Sequence, residues 1–163
     1  MDHSRNAVKS PGFIGVISDT HGLLRTEALE ALNGVDLILH AGDIGNSQVL
    51  EALQSIAPVI AVRGNNDIGE WAAKLPECEV VEAGQVNVYM LHNVKEINLN
   101  AVAKGFQVVV SGHSHKPSVE ERMGVLYVNP GSAGPRRFSL PVSVARLRIK
   151  GQSVVAELIE LST

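Results

Sequence analysis

The chain has 163 residues, enough for one well-buried domain and too short for two comfortable ones. A hydrophobic fraction of 45% and a charged fraction of 19% are those of a soluble globule, and a net charge of −3 gives no basic footprint for nucleic acid. No apolar run nears the ~18 residues of a membrane span, and Cys78, the single cysteine, excludes an intrachain disulfide and fits a reducing cytoplasm.

Residues 1–12, MDHSRNAVKSPG, are polar and lack the apolar stretch of a signal peptide, so they read as a short flexible lead-in carrying His3. The first apolar run predicts a strand over 13–18. Residues 25–33 place Ala28, Leu29 and Leu32 at helical spacing, with Thr26 as N-cap and Gly34 as the stop. A strand at 36–41, a helix at 47–56 with Val49, Leu50, Leu53 and Ile56 on one side, and a strand at 59–63 follow. This β-α-β-α-β order implies parallel strands with right-handed crossovers. The second half is richer in strands. Runs at 79–83 and 86–91 flank Gly84-Gln85 as a hairpin, and a short helix at about 97–104 leads into a strand at 107–111. Further strands are expected at 117–122, 125–129, 142–149 and 153–161, turning at Met123-Gly124 and at Lys150-Gly151-Gln152. The expectation is one α/β domain with two sheets packed together and helices outside them.

Four of the six histidines stand where these runs end. FIGVISDTHG ends in Asp19 and His21, DLILHAGD in Asp43, PVIAVRGNND in Asn65, Asn66 and Asp67, VNVYMLHN in His92, and FQVVVSGHSH in His113 and His115. Loops at strand ends are where α/β sheets bind ligands, and five loops with hard O and N donors point to metal. The donors divide into two sites, Asp19, His21, Asp43 and His115 in one, Asp43, Asn65, His92 and His113 in the other. Asp43, on the central loop, is the candidate bridge, its two oxygens serving two ions. Two divalent ions carry +4 against −2 from the aspartates, a surplus that attracts an anion such as phosphate. Water on ions ~3.5–4 Å apart has its pKa brought to about 7, so hydroxide is available at neutral pH. Mixed N/O donors suit Mn, taken first, or Fe, Zn, Co or Ni, better than Ca or Mg.

The ordered series DTH, GD, GNND, an isolated His and GHSH resembles the calcineurin-like metallophosphoesterase superfamily, over roughly residues 13–149. The chain's size and its VNPGSAGPRR segment are similar to the small YfcE-like phosphodiesterase group. The resemblance implies a four-layer α/β/β/α sandwich of two mixed sheets with flanking helices, and hydrolysis of a small phosphate ester at two divalent ions. It gives ligand roles to Asp19, His21, Asp43, Asn65, His92, His113 and His115, with Asp43 bridging and holding the nucleophilic hydroxide. A phosphodiesterase is the implied activity. A phosphomonoesterase and a non-catalytic protein-binding scaffold, as in the retromer subunit of this group, are the alternatives, and self-association stays open. Two positions depart from the pattern. Many members have a histidine after the metal-binding asparagine. Here Asn66 holds that place, and an amide can contact phosphate but is no general acid at neutral pH. His92 is followed by Asn93 where glycine is usual.

The other polar residues read as structural. His40 lies among apolar neighbours and is expected to be buried and bonded to backbone. Asp67 is expected to fix its loop through backbone amides. Asn129-Pro130-Gly131-Ser132 reads as a turn near the site. Arg136 and Arg137 read as a solvated pair rather than phosphate clamps, Trp71 as ordinary burial rather than a lid, and Cys78 as an incidental thiol.

Overall fold

The computed structural model describes residues 7, 8 and 11–163, with the backbone alone of 5 and 6. Most of the lead-in, His3 included, lies outside the described residues. Continuous apolar runs, buried on both faces, set the first sheet. β2 (Phe13–Ile17), β3 (Leu37–His40) and β4 (Val59–Ala61) run parallel, joined by α1 (Thr26–Ala31) and α2 (Ser47–Gln54). β10 (Ser143–Lys150) and β11 (Ser153–Glu160) extend this sheet antiparallel, giving the order β11-β10-β2-β3-β4.

The second sheet contains β1 (Arg5–Val8), β5 (Cys78–Ala83), β6 (Val86–Leu91), β7 (Val108–Val110), β8 (Ser118–Arg122) and β9 (Val125–Asn129). Its order is β1-β5-β6-β7-β9-β8, with parallel pairs at β1–β5, β6–β7 and β7–β9 and antiparallel pairs at β5–β6 and β8–β9. Both sheets are therefore mixed. Their inner faces meet in a shared core where Ile14, Val16, Leu37 and Leu39 face Val88, Met90, Val108 and Val110. Burying each such side chain stabilises the fold by roughly 1.5–3 kcal/mol. The period of two sends Ile17 and Ile38 to the opposite face, against Ala28 and Leu32 of α1 and Val49 and Leu53 of α2.

Several expectations change. Residues 5–8 pair as an edge strand, which a polar stretch with no apolar run does not signal. Thr26 is the first helical residue and not the cap. Arg25 holds the cap position without a side-chain cap bond, its guanidinium reaching the Gly134 carbonyl instead. α2 has its expected polar entry, with Asn46 accepting from the Val49 amide. No α-helix forms at 97–104. A 3₁₀ turn at Val94–Glu96 is followed by a turn in which Asn100 accepts from Ala103 N and Gly105 takes φ 78°. The Asn100 cap and Gly105 lie too close together to leave more than one turn between them. This irregular layer, through Ala101 and Phe106, covers Tyr89 and Val109 on the outer face of the second sheet. A short α3 (Glu70–Ala73) also forms, and Trp71 packs beside the helix-covered core, as ordinary burial predicts.

Candidate metal centre

β2, β3 and β4 end at one edge of the first sheet, and β6 and β7 end at the facing edge of the second. The loops beyond them are laced by backbone bonds. Asp19 N donates to Gly42 O (3.0 Å), His21 N to Asp43 O (2.9 Å) and Gly112 N to His92 O (2.9 Å). The His113 amide crosses between the sheets to Asp19 Oδ2 (3.0 Å). Asp19, His21, Asp43, His113 and His115 all have positive φ, between 46° and 70°. Each costs ~1–3 kcal/mol and persists only where the surroundings enforce it, as at functional sites. Two glycines permit the closeness. A Cβ on Gly64 would fall on the Asp43 carboxylate, and one on Gly112 would fall on the Ser18 hydroxyl.

The predicted residues converge. Asp43 Oδ2 lies 3.2 Å from His92 Nε2 and 3.8 Å from His21 Nε2. Asp19 Oδ1 lies 3.4 Å from His115 Nε2, 3.7 Å from His21 Nε2 and 4.0 Å from His92 Nε2. Nitrogen also faces nitrogen, His21 Nε2 at 3.4 Å from His115 Nε2 and His113 Nδ1 at 3.3 Å from His92 Nε2. Asn65 is exposed and lines a cavity with His92 and His113. One oxygen of Asp43, Oδ2, faces both groups, while Oδ1 accepts from the Asn66 amide at 2.9 Å. Only Oδ2 is therefore turned toward the histidines of both groups. The Asn66 side chain donates to the same Oδ2 at 3.1 Å.

The donor set fits cations. His92 Nδ1 donates to the Ala41 carbonyl at 2.7 Å. That fixes the tautomer and turns the Nε2 lone pair toward Asp43 Oδ2. Nε2 and Oδ2, 3.2 Å apart, are held together by a proton or by a cation in its place. Asp19 Oδ1 is buried with no hydrogen-bond partner, an expense that structures rarely leave uncompensated. Ligand atoms ~2.0–2.2 Å from one ion lie at about the spacings found here.

Protons follow the same field. Burial would raise both carboxyls. At Asp43 the contact with His92, the Asn66 amide and the charges of His92 and His21 outweigh it and bring the group down to about 2. At Asp19 the contacts with His21 and Ser18, then the charges of His92 and His115, bring it below the ordinary range. His21 is raised, chiefly by Asp19, against burial and the opposing charge of Arg137. At His92 burial is outweighed by Asp43 and the Ala41 carbonyl, so it too is raised. Burial lowers His115, with Asp19 opposing and Arg137 adding to the fall.

The supports around the ligands are polar. His40 is fully buried and pushed down to about 3 by desolvation. Its Nδ1 accepts from Gly42 N (3.1 Å), so the proton sits on Nε2 and is donated to Thr20 Oγ1 (3.0 Å). Thr20 in turn donates to Ile44 O (2.7 Å). The backbone bond was expected. The link through Thr20, which ties the DTH and GD loops together, was not, although a hydroxyl between two ligand positions was its available signal. Asp67 accepts from Gly45 N and Gly64 N, as a loop-fixing carboxylate should. In the turn at 129–132, Asn129 donates to Gly112 O and Ser132 to Asp19 O, so that turn braces two ligand loops.

Two cavities open from the centre. One of about 600 Å³ adjoins Asn65, His92 and His113 and reaches Tyr89, Leu91 and Asn98. The other, of about 220 Å³, lies between His21, His115 and Pro135–Arg137. The arginine pair is not uniform. Arg136 donates to Thr163 (3.1 Å), while the Arg137 side chain has no hydrogen-bond or ion-pair partner among the described residues. Cys78 lies in the larger cavity's wall, and among the described residues no helix is long and apolar enough to cross a membrane.

Known proteins are similar to this chain in sequence and in fold. A probable metallophosphoesterase of Methanothermobacter thermautotrophicus is 36% identical over 90% of this chain and 91% of its own length. A phosphodiesterase of Methanocaldococcus jannaschii is 31% identical over 72% of this chain and 82% of its own. Vacuolar protein sorting 29 of Cryptosporidium parvum shares the fold, with a TM-score of 0.80 and 22% identity over 94% of this chain and 93% of that one. Residues 13–152 match the model of the calcineurin-like phosphoesterase superfamily domain, and the chain belongs to that superfamily.

Proposed function

We propose that this chain, acting as one domain, is a phosphodiesterase with a dinuclear metal centre. Asp19, His21, Asp43 and His115 would hold one ion, and Asp43, Asn65, His92 and His113 the other. The observation that carries this reading is Asp43 Oδ2 facing His92 Nε2 and His21 Nε2, lone pairs converging from both groups on one carboxylate oxygen. Mn is the favoured metal, and Fe, Zn, Co and Ni suit the same N and O donors.

Bound ions supply a water of pKa near 7 and positive charge for the nonbridging oxygens of phosphate. The chain's own residues set the rest. Asp43, held well below the ordinary carboxylate range, stays ionised throughout the neutral range. The Asn66 amide sits at the shared oxygen, within reach of a substrate oxygen placed there. It donates a hydrogen bond but cannot protonate a departing alkoxide. The reaction therefore favours esters whose leaving group departs unprotonated. The phosphodiesterase relative supports a diester over a monoester, and the lone Cys78 supports a cytoplasmic setting. The protein-binding scaffold reading draws on the likeness to Vps29, which is one of fold. A complete donor set speaks for catalysis.

The test is metal-stripped protein reconstituted with one metal at a time and offered matched aryl mono- and diesters of phosphate. Two ions per chain and faster diester cleavage, best with Mn, are expected. Two ions with no cleavage of either ester would favour the scaffold, and faster monoester cleavage the monoesterase.

A further inference from the structure

The two cavities differ in chemistry as well as size. The larger one is bordered by Asn65, Asn98, Tyr89 and Leu91, its Arg63 is paired with Glu77 at 3.1 Å, and the remaining carboxylates in its wall, Asp67 and Glu96, disfavour an anion there. The smaller one is bordered by His21, His115, Pro135 and two cations, of which Arg136 is tied to Thr163 and Arg137 is not. Its 220 Å³ exceeds the roughly 30 Å³ share of one water several-fold, so it has room for a substituent. The Arg137 side chain is exposed, has no hydrogen-bond or ion-pair partner among the described residues, and borders the same cavity as both imidazoles.

Charge counting shows what this cation is for. With two divalent ions, two aspartates, one hydroxide and one diester monoanion, the centre is neutral. Arg137 is then left with no counterion from the scissile group. An arginine fork beside an anion site is suited to carboxylate or phosphate.

We infer that the small cavity between His21, His115 and Arg137 receives a second anionic group of the substrate. The preferred diester is then unsymmetrical, with a short arm ending in carboxylate or phosphate toward Arg137 and a bulkier neutral arm in the larger cavity. This rests on the phosphodiesterase reading above. It adds that Arg137 selects the substrate and Arg136, tied to Thr163, does not.

The test uses the metal-loaded full chain and three aryl phosphodiesters with the same leaving group. Their second arms end in a methyl group, a carboxylate or a phosphate of similar reach. The charged arms should lower KM about five- to tenfold, the scale of one partly exposed charge-assisted hydrogen bond, with less advantage at high salt. Arg137→Gln should erase that advantage, bringing the KM values for charged and methyl arms together within the same variant. Arg137→Lys should restore part of it, and Arg136→Gln should keep it. Preference for carboxylate over phosphate, or the reverse, would identify the acidic group. Uncleavable phosphonate analogues of the same compounds, titrated by calorimetry, read the charge preference without turnover. No cleavage of any diester would defeat the phosphodiesterase reading alone. Equal binding of charged and neutral arms, or a preference that survives Arg137→Gln, would overturn the present inference.

Discussion

The two proposed ligand groups on either side of Asp43, Asp19–His21–His115 and Asn65–His92–His113, are built to different standards. In the first, Asp19 is fully buried and His115 nearly so, and the backbone of the DTH loop is bonded to the GD loop. In the second, His92 is buried and oriented by Ala41, but His113 and Asn65 are exposed beside a 600 Å³ cavity. A rigid, pre-oriented donor set loses little freedom on binding an ion, whereas exposed side chains must be ordered first. The difference teaches that two ions sharing one carboxylate need not be held equally. The first group is expected to bind tightly and the second to exchange with solvent.

Asp43→Asn strikes what the groups share. The change keeps the shape and removes the charge that Oδ2 presents to both sides. Both ions should weaken, and activity should fall on the order of 10³-fold, the upper range for losing one stabilising group in a site. Elemental analysis after dialysis should show both ions depleted. If one ion stays at full occupancy, Asp43 serves one group only.

His21→Ala and His113→Ala separate the groups. Each should lower activity by about 10²-fold, at the upper end of the losses seen even for outer partners of a metal. Their metal contents should differ. His113→Ala should retain one tightly held ion, and His21→Ala should lose the tight ion and keep at most a weak one. Titration calorimetry of the stripped proteins reads this directly. Identical two-step isotherms for the two variants would erase the distinction.

The same comparison marks how far the sequence could be read. Asp19, His21, Asp43, Asn65, His92, His113 and His115 were legible because each follows an apolar run, and a buried strand has to stop at a loop. The two packed sheets were legible for the same reason, through apolar runs such as FIGVI and VNVYML that are buried along nearly their whole length. What failed was local and polar. β1 has no apolar signature, and the 97–104 segment carries helical residues between Asn100 and Gly105, which limit it to a turn. Which Asp43 oxygen faces both groups depends on the Asn66 amide, a backbone bond that no residue pattern encodes. Arg137 was read with Arg136 as one surface pair, because adjacency in sequence does not reveal that both border the small cavity while only Arg136 is tied to Thr163.

Acid should weaken metal binding at both groups. His21 and His92 are both raised above the ordinary 6.5 in the ion-free protein, and each must release its proton to bind an ion. A raised pKa keeps the proton bound into the neutral range. Metal affinity should therefore rise with pH up to those raised values and level off above them. Below them it should fall by up to about tenfold per pH unit for each proton displaced. His115, in the first group, is lowered and contributes no such competition near neutrality. Fluorescence-monitored metal titrations at pH 6, 7 and 8 would show it, and pH-independent affinity for both ions would contradict it.

The smallest effect lies behind the first group. Thr20 Oγ1 accepts from His40 Nε2 and donates to Ile44 O, all three residues being buried and none a proposed ligand. Thr20→Val preserves shape but leaves the His40 N–H and the Ile44 carbonyl without that hydroxyl. An unsatisfied buried polar group costs about 1–3 kcal/mol, which should appear as a lower urea midpoint with an unchanged m-value. The ligands themselves stay in place, so affinity for the tight ion should fall less than tenfold, well short of the effect of His21→Ala. Thr20→Ser keeps the hydroxyl and should recover most of the stability. If Thr20→Ser proves no more stable than Thr20→Val, the lost methyl packing matters more than the bond, and the DTH and GD loops are held together by their backbone bonds alone.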